Sequence, residues 1–464
     1  MQTQTMPTLL PGTAVSCRSA LAQKDMSARE LIDAVLQQTD AINPQINALI
    51  DIDPDAACSA AQQSDERRRR GETLGPLDGI PVTVKDNLAV RGMKATWGSR
   101  VYADRIAPED DPSIARLRAG GAVIWAKSNL PELALAGVTD NALFGATRNP
   151  LDLTLTPGGS SGGAAAALAA GLGPLAVGTD AGGSARRPAA YTGTVGFRPS
   201  NGMIARGTFF PTTTYDCQAI APMARNVADV QLLFNVLRGP DQADRTTLMG
   251  VAAAAPMPQR LRVRYFPTVE GKPVDPVIAA GVATAARRLE AMGHDVSECA
   301  APYTLTEMET IWSVLIAAGT AAARGGMPAT LPAPLTPVID GLIERAAKLG
   351  GADYVETIAQ MHAVRRRFDR LFGECDVLLS PTSPCFPWTL DQPYPKTIAG
   401  RDAGPRDAAI FYPFVNIAGL PAIAIPVGGI DTPLPVSMQL VAGYGRDDAL
   451  LALAQAIETE HPWL

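Results

Sequence analysis

From Ser27 onward, apolar residues at Leu31, Ile32, Val35 and Leu36 fall on one face of a 3.6-residue repeat, and Ser27 with Glu30 makes a capping box. The spacing predicts a helix that starts at this serine. Further along, short apolar or β-branched runs predict strands at Pro81–Val84, Ala122–Ala126, Leu175–Val177, Leu261–Phe266, Val377–Leu379, Ala422–Pro426 and Val436–Val441. Between them, Ser113–Ala119, Gly162–Ala170, Val227–Leu237, Val277–Met292, Tyr354–Phe372 and Asp447–Glu458 carry helical spacing, and the alanine-rich stretch after Gly162 suits a buried helix. The alternation predicts an α/β fold, a central sheet with helices on both faces. No repeat of fixed period and no Gly/Ser-rich or charged linker divides the chain, so one domain, 1–464, is expected.

Two proline-rich stretches differ in texture. The segments 325–338 and 382–406 are expected to be irregular and at the surface. Hydrophobic residues make up 47% of the chain and charged residues 19%, enough apolar material for a sizeable core. The net charge of −6 leaves no positive footprint for nucleic acid, and the basic runs Arg67–Arg70 and Arg365–Arg367 read as solvated helix faces. Six cysteines are dispersed without a C-x-x-C pair, which points to neither a zinc site nor a disulfide framework and suits a reducing cytoplasm. The first residues lack the basic-then-apolar pattern of a signal peptide, and no apolar run is long enough for a bilayer, so neither export nor a membrane location is expected.

The candidate chemistry sits in two blocks, Pro157-Gly-Gly-Ser-Ser-Gly-Gly163 and Gly178-Thr-Asp-Ala-Gly-Gly-Ser-Ala-Arg-Arg-Pro188. Glycine lets successive amides turn inward, forming a concave cluster of N–H donors for an anion or oxyanion, and Gly182 and Gly183 directly precede Ser184. Neither block has the spacing of a P-loop or of a dinucleotide fingerprint. A nucleophilic serine needs a base, usually a histidine, but His294, His362 and His461 all fall in stretches that read as surface or structural. A Ser-Lys arrangement is the remaining familiar solution, and Lys85 in Gly79-Ile-Pro-Val-Thr-Val-Lys-Asp-Asn87 closes a predicted strand, where α/β sheets present functional side chains.

Lys85 in PVTVKDN, then GGSSGG, then GTDAGGSARRPAA, in this order, resemble the amidase-signature family. The likeness continues through Val195–Pro199, Gly202, Ala221–Arg225, Val227–Asp229 and Gly239–Asp241, and again through Phe414–Asn416, Gly419–Ala422 and Pro435–Gln439. The resemblance implies a mixed central sheet, a catalytic signature core over 70–240 and a variable, substrate-facing region over 300–410. It also implies that Ser184 is the nucleophile, Ser160 a bridging serine after a cis peptide at Gly159, and Lys85 the ultimate base. Backbone N–H groups of Ala181, Gly182, Gly183 and Ser184 would form the oxyanion hole, with Ser161, Asp180 and Arg186 in support. The family pattern is departed from at Ala185-Arg186-Arg187, which adds an arginine before Pro188, and at Tyr215-Asp-Cys-Gln218.

The implied activity is a serine amidohydrolase that cleaves an amide, carbamate (urethane) or urea-type C–N bond, with no cofactor and no metal. A lysine serving as base must be neutral, so burial is expected to push its pKa down from about 10.4. The expected partner is a small-molecule amide or carbamate, bound by a monomer or homodimer, with Phe209, Phe210 and Tyr215 as candidate pocket residues. Two alternatives stay open: a glutaminase component of a tRNA amidotransferase, and a non-catalytic binding homologue.

Overall fold

The computed structural model of the chain describes residues 12–249, 258–429 and 432–463. Its strands are β1 (Leu49–Ile52), β2 (Pro81–Lys85), β3 (Val123–Ser128), β4 (Leu175–Asp180), β5 (Val195–Arg198), β6 (Ala219–Ala224), β7 (Arg262–Tyr265), β8 (Asp295–Glu298), β9 (Val377–Pro381), β10 (Thr397–Ile398), β11 (Arg401–Asp402), β12 (Ala422–Pro426) and β13 (Ser437–Ala442). All but β10 and β11, which form their own small hairpin, join one sheet in the order β1-β3-β2-β4-β6-β5-β12-β13-β9-β7-β8. Pairing is parallel for β3–β2–β4 and for β9–β7–β8, and antiparallel through the middle, giving the mixed sheet.

The helices are α1 (Ala14–Gln23), α2 (Ala28–Ile46), α3 (Pro54–Arg70), α4 (Pro112–Ala119), α5 (Gly162–Ala169), α6 (Arg186–Thr192), α7 (Val227–Leu237), α8 (Pro276–Ala291), α9 (Leu305–Gly325), α10 (Pro337–Ala346), α11 (Gly351–Glu374), α12 (Pro413–Ala418) and α13 (Asp447–Glu460). The capping box at the head of α2 forms, Ser27 Oγ accepting from Glu30 N while Glu30 accepts from Ser27 N.

Successive strand residues point to opposite faces, and here the two faces differ in size. Leu175 and Val177 of β4 and Ile423 and Ile425 of β12 pack in the same buried cluster as Leu233 and Phe234 of α7 and Leu450 and Leu451 of α13. On the other face, Ala176, Ala221, Met223 and Ala424 meet Ala164, Ala165 and Leu168 of α5 and Ala185 and Ala189 at the start of α6. Small side chains let α5 and α6 lie close to the strands, and the residues of α5 from Gly162 to Leu168 are all buried. That close approach brings the two glycine-serine blocks to the sheet.

Several expectations change. Strands β1, β5, β6 and β8, the β10–β11 hairpin inside the stretch expected to be irregular, and helices α1, α6, α9, α10 and α12 were not predicted by pattern, because most are short or interrupted by proline or glycine. The segment 326–336 is irregular between α9 and α10, as expected. The segment 382–406 is not wholly a surface one, since Thr382–Cys385 and Trp388 are buried. Nor are the basic runs simply solvated: Arg67 pairs with Asp78 at 2.7 Å, Arg365 with Asp216 at 2.9 Å and Arg367 with Glu307 at 2.7 Å, leaving Arg69, Arg70 and Arg366 exposed. Among the described residues no helix is long and apolar enough to cross a membrane.

Candidate active site

Lys85 ends β2 and Asp180 ends β4, and because these neighbours run parallel their C-terminal ends open at the same place. The loop before α5 brings Ser160 and Ser161 there, and the turn after β4 brings Ser184. The two loops are tied by a backbone bond from Ser161 N to Ser184 O at 3.0 Å. The Gly159–Ser160 peptide is cis.

Lys85 is fully buried, and its Nζ lies 2.8 Å from Ser160 Oγ, 2.9 Å from Ser161 Oγ and 3.0 Å from Thr179 Oγ1. Burial pushes its pKa down to about 7, with the Asp180 charge pulling in the other direction. A neutral amine has two N–H donors and one lone pair. Ser161 donates its own proton to Thr179 O at 3.1 Å, so it can only accept from Lys85. The lone pair is therefore left for the hydroxyl of Ser160 or Thr179. Thr179 Oγ1, which accepts from Asn87 Nδ2 at 3.0 Å, has a second lone pair for the remaining Lys85 N–H, an arrangement that leaves the lysine lone pair to Ser160.

Ser160 and half-buried Ser184 line one cavity of about 110 Å³. Leu133, Ala134, Leu135, Trp312 and Ile316 form its apolar wall, and Arg187, Thr213, Thr214, Gln218 and Arg406 its polar one. Leu133 (φ 52°) and Ala134 (φ 60°) both take the left-handed region, an unusual conformation for two consecutive side-chain-bearing residues.

The turn carrying Ser184 is shaped by a buried ion pair. Arg186 donates to Asp180 from Nε and Nη2, both at 2.9 Å, and also reaches Gln439 Oε1 at 2.7 Å and Asn416 Oδ1 at 2.6 Å. Burial alone would raise the Asp180 pKa, but Arg186, Arg198 and Asn416 hold it well below the usual carboxylate range. Asp180 in turn accepts from Gly183 N at 2.9 Å and Ala185 N at 3.2 Å. Glycine is required at 183, where φ is +95° and an added Cβ would sit 2.4 Å from the Tyr412 ring.

The structure thus brings Lys85, Ser160, Ser161, Asp180, Ser184 and Arg186 together. It corrects two other expectations. The Gly183 N–H is committed to Asp180 and Gly183 does not line the cavity, so of the four residues expected to supply oxyanion donors Ala181, Gly182 and Ser184 line it. Phe209, Phe210 and Tyr215 are absent from the cavity wall. Phe210 packs on Trp97 at 4.7 Å and Phe209 at 5.0 Å, with Arg105 over both phenyl rings, in a side pocket that shares only Gln218 with the cavity. Tyr215 is exposed and lines a separate pocket. Aromatic type alone did not reveal where these rings point.

The wall residues Trp312, Ile316 and Arg406 come from the far half of the chain and carry no local motif. Asn416 and Gln439 lie inside the quoted signature segments, and their signal is a polar residue within an otherwise apolar run. Among the described residues no group of three or more His, Cys, Asp or Glu could hold a metal ion.

The chain matches the Amidase family model over residues 30–451 and belongs to that family, the amidase-signature amidohydrolases, which act on C–N bonds. Its relatives include the A subunit of the glutamyl-tRNA(Gln) amidotransferase of Symbiobacterium thermophilum, 34% identical across 94% of each chain. The acylamidase of Rhodococcus erythropolis is also 34% identical, across 97% of this chain and 96% of that one. Among solved structures, a bacterial aryl acylamidase of the amidase signature family superposes with a TM-score of 0.88 at 28% identity, covering 97% of this chain and 96% of that one. The 6-aminohexanoate cyclic dimer hydrolase bound to its substrate gives 0.85 at 28% identity, covering 97% of each.

Proposed function

We propose that this chain hydrolyses a small-molecule amide through an acyl-enzyme on Ser184, using Ser160 and Lys85 as a proton relay. One observation carries the reading: Lys85, with its pKa pushed down to about 7, lies 2.8 Å from Ser160 Oγ, and Ser160 shares the cavity with Ser184. Ser184 Oγ attacks the carbonyl carbon as its proton passes to Ser160, whose own proton passes to Lys85. The oxyanion takes donors from Ala181, Gly182 and Ser184. When the C–N bond breaks, the proton returns through Ser160 to the departing amine, and water repeats the sequence on the acyl group. Carbamates and urea derivatives present the same carbonyl C–N geometry and fall within this mechanism.

A serine-directed fluorophosphonate or sulfonyl fluoride tests it by intact mass. One adduct on Ser184, with activity lost in Ser184→Ala, is expected. Labelling elsewhere, with full activity in Ser184→Ala, overturns the proposal.

A second reading, a glutaminase that passes ammonia to a partner, draws support from the 34% identity to the amidotransferase relative. Free glutamine brings an α-ammonium that calls for a carboxylate, and no Asp or Glu lines the cavity. A stand-alone amidase is therefore favoured. Glutamine turnover exceeding that of simple amides would reverse the order.

A further inference from the structure

Two adjacent arginines begin α6 and end up in opposite situations. Arg186 is fully buried and its charge is met by Asp180, Asn416 and Gln439. Arg187 is only 8% exposed, lines the catalytic cavity, and among the described residues is paired with no carboxylate. Its Nε has no hydrogen-bond partner, and its guanidinium lies 4.9 Å from the centre of the Tyr412 ring. A buried cation is costly unless an anion meets it, so an unpaired one aimed into a cavity points to a ligand that completes it.

The opposite wall supplies a second cation. Arg406 lines the same cavity and also an outer groove of about 630 Å³, and it lies 5.6 Å from the Trp312 ring centre. Its Nε contacts Glu309 at 3.2 Å, with 46% and 47% of the two side chains exposed. Desolvation of its head lowers the Arg406 pKa, Glu309 opposes this and Arg187 adds to it, although nearly half of the side chain is open to water. Two guanidiniums thus converge on a small cavity whose lining contains no acidic residue.

We propose that the substrate is an amide that also carries a carboxylate, held by Arg187 with Arg406 while its carbonyl meets Ser184. A guanidinium matches the planar carboxylate with parallel N–H donors, and a small anion suits a cavity of about 110 Å³. The proposal rests on the assignment of Ser184 as nucleophile and narrows its substrate class.

Paired substrates test it. Succinamate against butanamide places the carboxylate on the acyl side, and N-acetylglycinate against N-ethylacetamide places it on the amine side. In at least one pair the charged substrate should have a kcat/KM at least about tenfold higher, mainly through KM. Arg187→Gln should cut that ratio by about tenfold or more. Arg406→Gln, at a half-exposed side chain, should reduce it too and serves if Arg187→Gln does not fold. A ratio near one in the wild type in both pairs, or a ratio unmoved in the folded variants, overturns the proposal while leaving the amidase reading intact. If no amide turns over and Ser184 resists labelling, that reading fails separately. Calorimetric titration with succinate then decides the subsite: binding that weakens in Arg187→Gln or Arg406→Gln supports it, and no binding to the wild type overturns it.

Discussion

Lys85 Nζ and Ser160 Oγ lie 2.8 Å apart with both side chains buried, the amine at the end of β2 and the hydroxyl in the loop before α5. Because burial brings the Lys85 pKa down to about 7, the fraction of neutral amine rises with pH through that value. The kcat/KM profile should therefore climb with a basic limb near pH 7 and level off above it. Lys85→Ala should lose about 10²–10⁴-fold in kcat/KM and no longer show that limb. An unchanged profile in the variant would place the base elsewhere.

The same lysine links stability to pH. Between pH 7 and 10.5 the unfolded chain holds a proton on this residue that the folded chain has released, so unfolding takes up a proton and stability rises with pH across the window. Urea unfolding at a series of pH values should show this rise in the wild type and its loss in Lys85→Met.

If Ser160 and Lys85 act as one relay, their losses should not multiply. Each alanine variant alone should cost about 10²–10⁴-fold, and the double variant should be close to the worse single one. Steady-state rates on one amide settle this, and a multiplicative loss would mean that the two act independently.

Arg186→Met should be strongly destabilising, because it strands Asp180 as a buried, unpaired carboxylate, a loss of about 3–5 kcal/mol. Denaturant unfolding reads the change. The Asp180 pKa is lowered from 3.8, so the pair's stabilisation is fully present above that value and fades only as pH falls below it. Asp180→Asn combined with Arg186→Met should recover part of the loss.

Gly182 lies against Trp312, where an added Cβ would meet the indole at 2.8 Å. Gly182→Ala should shift the turn that presents Ser184 and lower kcat/KM by about 10²-fold. Trp312→Leu in the same chain opens that space and should restore part of the rate. Failure to restore any would assign the loss to backbone conformation alone.

The helix headed by Ser27 and Glu30, the buried alanine helix after Gly162 and the strand ending at Lys85 were legible because each depends on neighbours a few residues away. Strands β5 and β6 were not. Gly196 and Pro222 interrupt the strand pattern there, and pairing with β12 and β4 supplies what local preference lacks. The run from Leu305 to Gly325 does place Met308, Ile311, Trp312 and Leu315 at helical spacing, so α9 was readable in principle.

By itself the sequence named the candidate groups, a lysine closing a predicted strand and serines beside paired glycines, since each of those signals is local to a few neighbouring residues. Tertiary structure alone decided how those groups are surrounded. Nothing local distinguishes Arg186 from Arg187, yet Asn416 and Gln439 arrive from distant elements of the chain to bind one, while the other stays open to the cavity. Likewise Trp312 and Arg406 become a wall, and Phe209 and Phe210 do not, because cavity shape arises from contacts between residues far apart in the chain, which short-range spacing does not encode.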